Sequence, residues 1–147
     1  MSMTANPVFV VYVISAVVLG LNLLVLANNT ALSRAKATEV INPEDTVLNS
    51  KATVVYEAGN DRTSRYRRAH RNALENIPLF LITGLLLTLT GISVTTAWVL
   101  FGVFVVARVF HSIAYVGRIQ PWRTASFAVG AIDQLVILLV LGYQVVA

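Results

Sequence analysis

The 147-residue sequence contains no cysteine. That absence excludes disulfides, thiolate metal sites and a cysteine nucleophile, so any thiol chemistry must use a thiol brought in by a ligand. Charge is scarce as well, at 12% of residues against 56% hydrophobic, and mean hydropathy is +0.73. Such a chain is too apolar for an ordinary soluble domain and reads as a small polytopic membrane protein, one domain over residues 1–147. There is no internal repeat, no low-complexity tract and no basic residue ahead of the first apolar run. The last point argues against a cleavable signal peptide, so that run is read as a permanent span. The isoelectric point near 9.9 raises the question of nucleic acid. The basic residues sit at the ends of apolar segments, however, where anionic headgroups or an anionic ligand are the nearer partners, and no nucleic acid is expected.

What is present is four apolar runs, Val8 to Ala27, Ile77 to Val94, Ala97 to Gly117 and Ala125 to Ala147. Each has roughly the 20 residues that a helix needs to cross a ~30 Å hydrocarbon core. They predict helices over about 7–35, 64–92, 95–117 and 121–146, with a polar loop over about 36–63 holding the turn signals Asn42-Pro43 and Gly59-Asn60. The other connections are short. Lysine and arginine flank the first and third connections, while the second and both ends have none. Both charged loops are therefore expected in the cytoplasm and both termini on the opposite side. An antiparallel four-helix bundle follows.

Polar residues form stripes at the cytoplasmic helix ends. Arg68, Arg71, Asn72 and Glu75 fall at i, i+3, i+4 and i+7, and Arg108, His111 and Tyr115 at i, i+3 and i+7. Arg34 closes the first helix, and Arg123 and Thr124 open the fourth. Arginines such as Arg62, Arg65, Arg67 and Arg118 are expected to snorkel to headgroups. Glu75 and Arg108 lie deeper, where an unpaired charge costs at least ~2.5 kcal/mol. They are expected to pair with each other or to bind a ligand. Asp133, near the middle of the fourth helix, is expected to be a structural pair, within reach of Arg108 by depth, or a hydrogen bonder at an interface between copies. Asn22 and Gln134 read as hydrogen bonds between helices.

The segments "RRAHRNALENIPLF", "ARVFHSIAYVGRIQPWRTASF" and "NPED" resemble the MAPEG family, membrane-associated proteins in eicosanoid and glutathione metabolism. The resemblance runs from Arg34 to about Phe127 and is greatest to the branch of microsomal prostaglandin E synthase and microsomal glutathione transferase. It implies a homotrimer of four-helix protomers that binds glutathione between neighbouring subunits near the cytoplasmic side. Carried over by residue, it implies that glutathione is contacted by Arg34, Arg71, Asn72, Glu75, His111, Tyr115, Arg123 and Thr124, with Arg68, His70 and Arg108 supporting the site. Asp45 resembles a loop aspartate proposed to work with the arginine matching Arg123. The chain departs from the synthase pattern at Thr124, where a serine is replaced by threonine, and at Phe127, where a tyrosine loses its hydroxyl.

The residue types suit such a ligand. Glutathione carries two carboxylates and an ammonium, which call for arginine forks and one acid. Its thiol must ionise from near ~8.5 to become a nucleophile, which Arg123 would favour electrostatically and Thr124 by a hydrogen bond. The expected function is thus a detoxifying glutathione transferase acting on lipophilic electrophiles from the bilayer, with peroxidase activity on lipid hydroperoxides as an extension. The alternatives are a lipid-presenting protein without catalysis and, third, a small transporter using Glu75 or Asp133. A bacterial inner membrane is expected rather than endoplasmic reticulum.

Overall fold

Asn6 starts the first helix. Its Oδ1 accepts from the backbone N–H of Val8 at 2.9 Å and of Phe9 at 3.4 Å, and Pro7 follows where a missing N–H costs no bond. In the computed structural model, which describes residues 6–56 and 59–146, helix α1 spans Pro7–Lys36. Thirty residues make about 45 Å, so α1 can cross the hydrocarbon and project beyond it, with Arg34 and Lys36 in its last turn.

The connection that follows is folded. Strands β1 (Glu39–Val40) and β2 (Thr53–Val54) pair in parallel, with Glu39 opposite Thr53, and a 3-10 helix (Pro43–Val47) lies between them. A Glu39 carboxylate oxygen accepts from Asn60 twice, from its backbone N–H at 3.1 Å and from Nδ2 at 2.9 Å. Gly59 permits this approach, because its φ is +62° and a Cβ there would lie 2.8 Å from Glu39 Oε2. Asn60 then caps α2 by accepting from the N–H of Thr63 at 3.0 Å.

Helix α2 spans Asp61–Leu87, α3 Val94–Val116 and α4 Trp122–Val146. The expected end of the second helix near residue 92 is corrected to Leu87. Thr88 and Thr90 turn their hydroxyls onto the carbonyls of Leu85 and Leu87, at 2.7 and 2.8 Å, and Ser93 caps α3 by accepting from Thr96 N–H at 3.0 Å. Side-chain bonds to local backbone stop a helix that hydropathy alone would continue. The second apolar run, expected from Ile77 to Val94, is shortened with it. Helices α1, α3 and α4 are long and apolar enough to cross a membrane, whereas α2 has only about 16 Å of apolar helix from Ile77 to Leu87. Its polar half precedes that stretch, and Glu75 lies about 18 Å from the Leu87 end.

The bundle closes around Phe80, Phe101 and Phe104, all essentially buried. Phe80 stacks on Phe104 with centroids 4.3 Å apart and meets Phe101 edge-on at 5.5 Å. Polar links tie helix to helix within the apolar interior. Asn22 donates to Ser112 Oγ at 3.1 Å, Gln134 to Thr83 Oγ1 at 3.0 Å and Tyr12 to the Leu81 carbonyl at 3.0 Å. The fold is an all-α membrane bundle of four helices.

Candidate functional site

Arg108 is the least expected side chain in the interior. It is 1% exposed, on α3, and its Nη2 donates to the side-chain oxygen of Asn72 on α2 and, at 3.5 Å, to the Asn72 carbonyl. Its guanidinium lies 5.7 Å from the Phe127 ring centre, while Nε and Nη1 are buried without an acceptor. Gly130 makes the passage between α3 and α4, since a Cβ there would come within 3.1 Å of Arg108 Cδ. Gly130→Ala therefore sets the roughly 1 kcal/mol that alanine gains inside a helix against crowding at Arg108, and is expected to give no rise in unfolding temperature in detergent.

The expected partners of Arg108 are corrected. Glu75 instead faces Arg71 one turn away, at 3.8 Å, and Asp133 forms no ion pair among the described residues. Asn72 sits a turn before Asn76 on the side of α2 that meets α3, whereas Arg71 and Glu75 point outward. A neutral amide thus accepts from the buried cation. Asp133 is buried on α4 with Oδ2 unpartnered, beside the Gln134 that bonds Thr83. If Asn72 is the main acceptor for Arg108, Asn72→Leu should cost about 1–3 kcal/mol without any ligand, and Asn72→Asp should cost less. Equal unfolding temperatures for the two variants would contradict that role.

A second group of residues surrounds His111. Its Nδ1 lies 2.9 Å from the Arg123 carbonyl, which can only accept, so the proton sits on Nδ1. In the neutral ring Nε2 is then an acceptor, and it is buried and unpartnered. Tyr115 and Phe127 flank the ring at 5.7 and 5.8 Å, and Arg123 lies over Tyr115 with its Cζ 5.0 Å from the ring centre. Ser126 and Gln120 belong to the same group, although no spacing pattern in the sequence marks them. Ser126 Oγ donates to the Trp122 carbonyl at 2.7 Å and lies 3.5 Å from His111 Nδ1. With the Gln120 amide oriented by its hydrogen-bond network, its oxygen accepts from Arg123 Nε at 3.1 Å and Nη2 at 2.7 Å, and its nitrogen meets Thr124 Oγ1 at 3.2 Å. One loop amide thus holds both Arg123 and Thr124.

The remaining residues divide into two places. Arg68, Arg71 and Glu75 are exposed on the outer face of α2, and His70 is half-buried. Arg34 and Asp45 line a cavity of about 400 Å³ at the C-terminal end of α1, which none of His111, Tyr115, Arg123, Thr124 or Phe127 lines. One chain therefore gathers Asn72, Arg108, His111, Tyr115, Arg123, Thr124 and Phe127, and does not bring Arg34 or Asp45 to them.

A sequence model of the MAPEG family matches residues 11–143. The chain belongs to the MAPEG family. This MAPEG chain is 40% identical to human microsomal glutathione S-transferase 1 over 128 residues, 85% of the chain and 83% of that protein. It is 36% identical to the rat protein of the same name over the same shares, and 30% identical to human prostaglandin E synthase over 124 residues, 84% of the chain and 80% of the synthase. Family membership and three spanning-length apolar helices make it an integral membrane protein.

Proposed function

We propose that the protein is a glutathione-dependent transferase, a homotrimer in which one copy supplies the Asn72, Arg108, His111 and Arg123 group and a neighbour supplies Arg34 and Asp45. The observation that carries this reading is the face of α2. The Arg71 and Glu75 side chains are 76% and 60% exposed, yet Glu75 lies about 12 Å inside a ~30 Å core reckoned from Leu87. Hydrocarbon solvates such a pair poorly, which supports its being covered by a second copy and a polar ligand. Glutathione fits what would be left open. Its carboxylates suit Arg34 and Arg71, and its ammonium suits Glu75. Arg108 and Arg123 have no carboxylate partner among the described residues and add positive potential.

The chemistry is nucleophilic attack by the glutathione sulfur. Arg123 holds the sulfur as thiolate by charge and Thr124 donates to it, both kept in place by Gln120. The thiol proton leaves to solvent, the sulfur forms a bond to the electrophilic carbon, and the leaving group departs as an anion. With a lipid hydroperoxide, two glutathiones give the alcohol, water and oxidised glutathione. Positive-inside topology supports placing the site on the cytoplasmic side of the membrane, with both termini opposite. Residues 1–147 form one such unit.

A second reading has its own observation. An apolar groove of about 550 Å³ runs between α3 and α4, lined by Trp98, Gly102, Val106, Trp122, Ala125 and Val129 among others, and a lipid could rest there without reaction. Conjugation of an aryl halide by the purified protein decides between them. Turnover that saturates with glutathione supports the transferase, and glutathione binding with no turnover supports the lipid-presenting protein.

A further inference from the structure

Three arginines from two separate elements converge where α2 begins and α3 ends. Arg62 and Arg65 rise from the first two turns of α2, and Arg118 folds back from just beyond α3, its φ of +61° turning the chain toward α2. With Tyr66 and Val116 they line a cavity of about 310 Å³. One carboxylate, Asp61, serves two of them, bonding Arg118 directly and Arg65 Nη2 at 3.4 Å. Arg62 lies 6.0 Å over the Tyr66 ring and pairs with no acid among the described residues. The cluster keeps a net charge of +2.

Arg65 separates this arrangement from arginines that only reach for headgroups. Its side chain is 19% exposed, and its Nε is fully covered and lacks an acceptor. A guanidinium held this far out of water is preorganised for an anion at its terminal nitrogens, while the covered Nε fixes its orientation. Depth selects the kind of anion. Val116 ends a helix of spanning length, and exposed Ile119 and Trp122 follow within six residues, so the cavity lies at the level of the lipid headgroups. The wall at Val116 is apolar and the rim is cationic, which fits a phosphate diester whose glycerol and chains continue into the membrane.

We propose that Arg62, Arg65 and Arg118 form a binding site for the phosphate of an anionic glycerophospholipid, apart from the group around His111, with which it shares no residue. The site would hold the α2 start against the α3 end from the cytoplasmic leaflet. It is independent of the glutathione reading, because its measurement involves no glutathione.

Native mass spectrometry of the full-length protein in detergent tests this, with phosphatidylglycerol and phosphatidylcholine added separately. Retention of phosphatidylglycerol at about tenfold lower concentration than phosphatidylcholine is expected. The double variant Arg62→Gln/Arg65→Gln should lose that preference, and so should Arg62→Gln alone in large part, which guards against misfolding at the more buried Arg65. Arg67→Gln/Lys51→Gln removes the same charge elsewhere and should keep the preference. Equal retention of the two lipids, or equal loss of preference in both double variants, would overturn the site. Displacement of phosphatidylglycerol by millimolar inorganic phosphate would overturn the lipid source in favour of a soluble phosphate.

Discussion

Arg123→Ala is expected to cut glutathione conjugation by about a hundredfold or more while changing the KM for glutathione only a few fold. A preorganised donor facing a reacting anion typically accounts for 10²–10³ in rate, about 3–4 kcal/mol, because the surroundings exclude the water that would otherwise do the same work. Arg123 is suited to that role. Gln120 accepts from two of its nitrogens and the Tyr115 ring lies under it, so its orientation is set before any ligand arrives. Thiolate absorption of bound glutathione at neutral pH should fall with the rate, since the thiol returns toward its ordinary titration near ~8.5. Arg123→Lys keeps the charge and loses the fork, and should lie between the two. A variant that retained parental turnover would assign thiol activation to another residue.

Arg71→Ala should act on binding instead. Removing one member of a charge-assisted pair covered by its partner costs about 2–5 kcal/mol, so the glutathione Kd is expected to rise at least about thirtyfold, with the rate at saturation largely kept. In the lone protomer Arg71 is exposed and its contact with Glu75 is long, which would make the mutation nearly silent. A large effect therefore reports burial between copies as well as ligand contact. Isothermal titration with glutathione, alongside the assembly mass of the variant, separates the two. Unchanged affinity in an intact trimer would remove Arg71 from the site.

The contrast between these two arginines shows what a sequence of this kind reveals. Run lengths expose the helices, because a bilayer imposes about 20 apolar residues per crossing. They do not expose the end of α2. Leu89 and Ile92 prolong the apolar run, and the stop is made by hydroxyls of Thr88 and Thr90 that hydropathy counts as minor interruptions. Helical spacing brings Arg108, His111 and Tyr115 to one face, and they do lie together with Arg123 and Phe127. Spacing cannot rank partners, so Arg108 takes the neutral Asn72 on the facing side of α2 in place of Glu75 or Asp133. Gln120 and Ser126 were invisible for a different reason. Their roles arise where the α3–α4 turn folds back on α3, and that geometry has no period. Arg34 is legible as a helix-end cation and Asp45 only through family likeness, since their proposed partners lie on another copy.

The most direct measurement is thiolate absorption as glutathione is titrated into the purified protein, followed by rapid addition of an aryl halide. A saturable thiolate signal at neutral pH that decays as conjugate forms, reduced in Arg123→Ala, is the expected result. Absence of glutathione binding at millimolar concentration would contradict the proposed function outright.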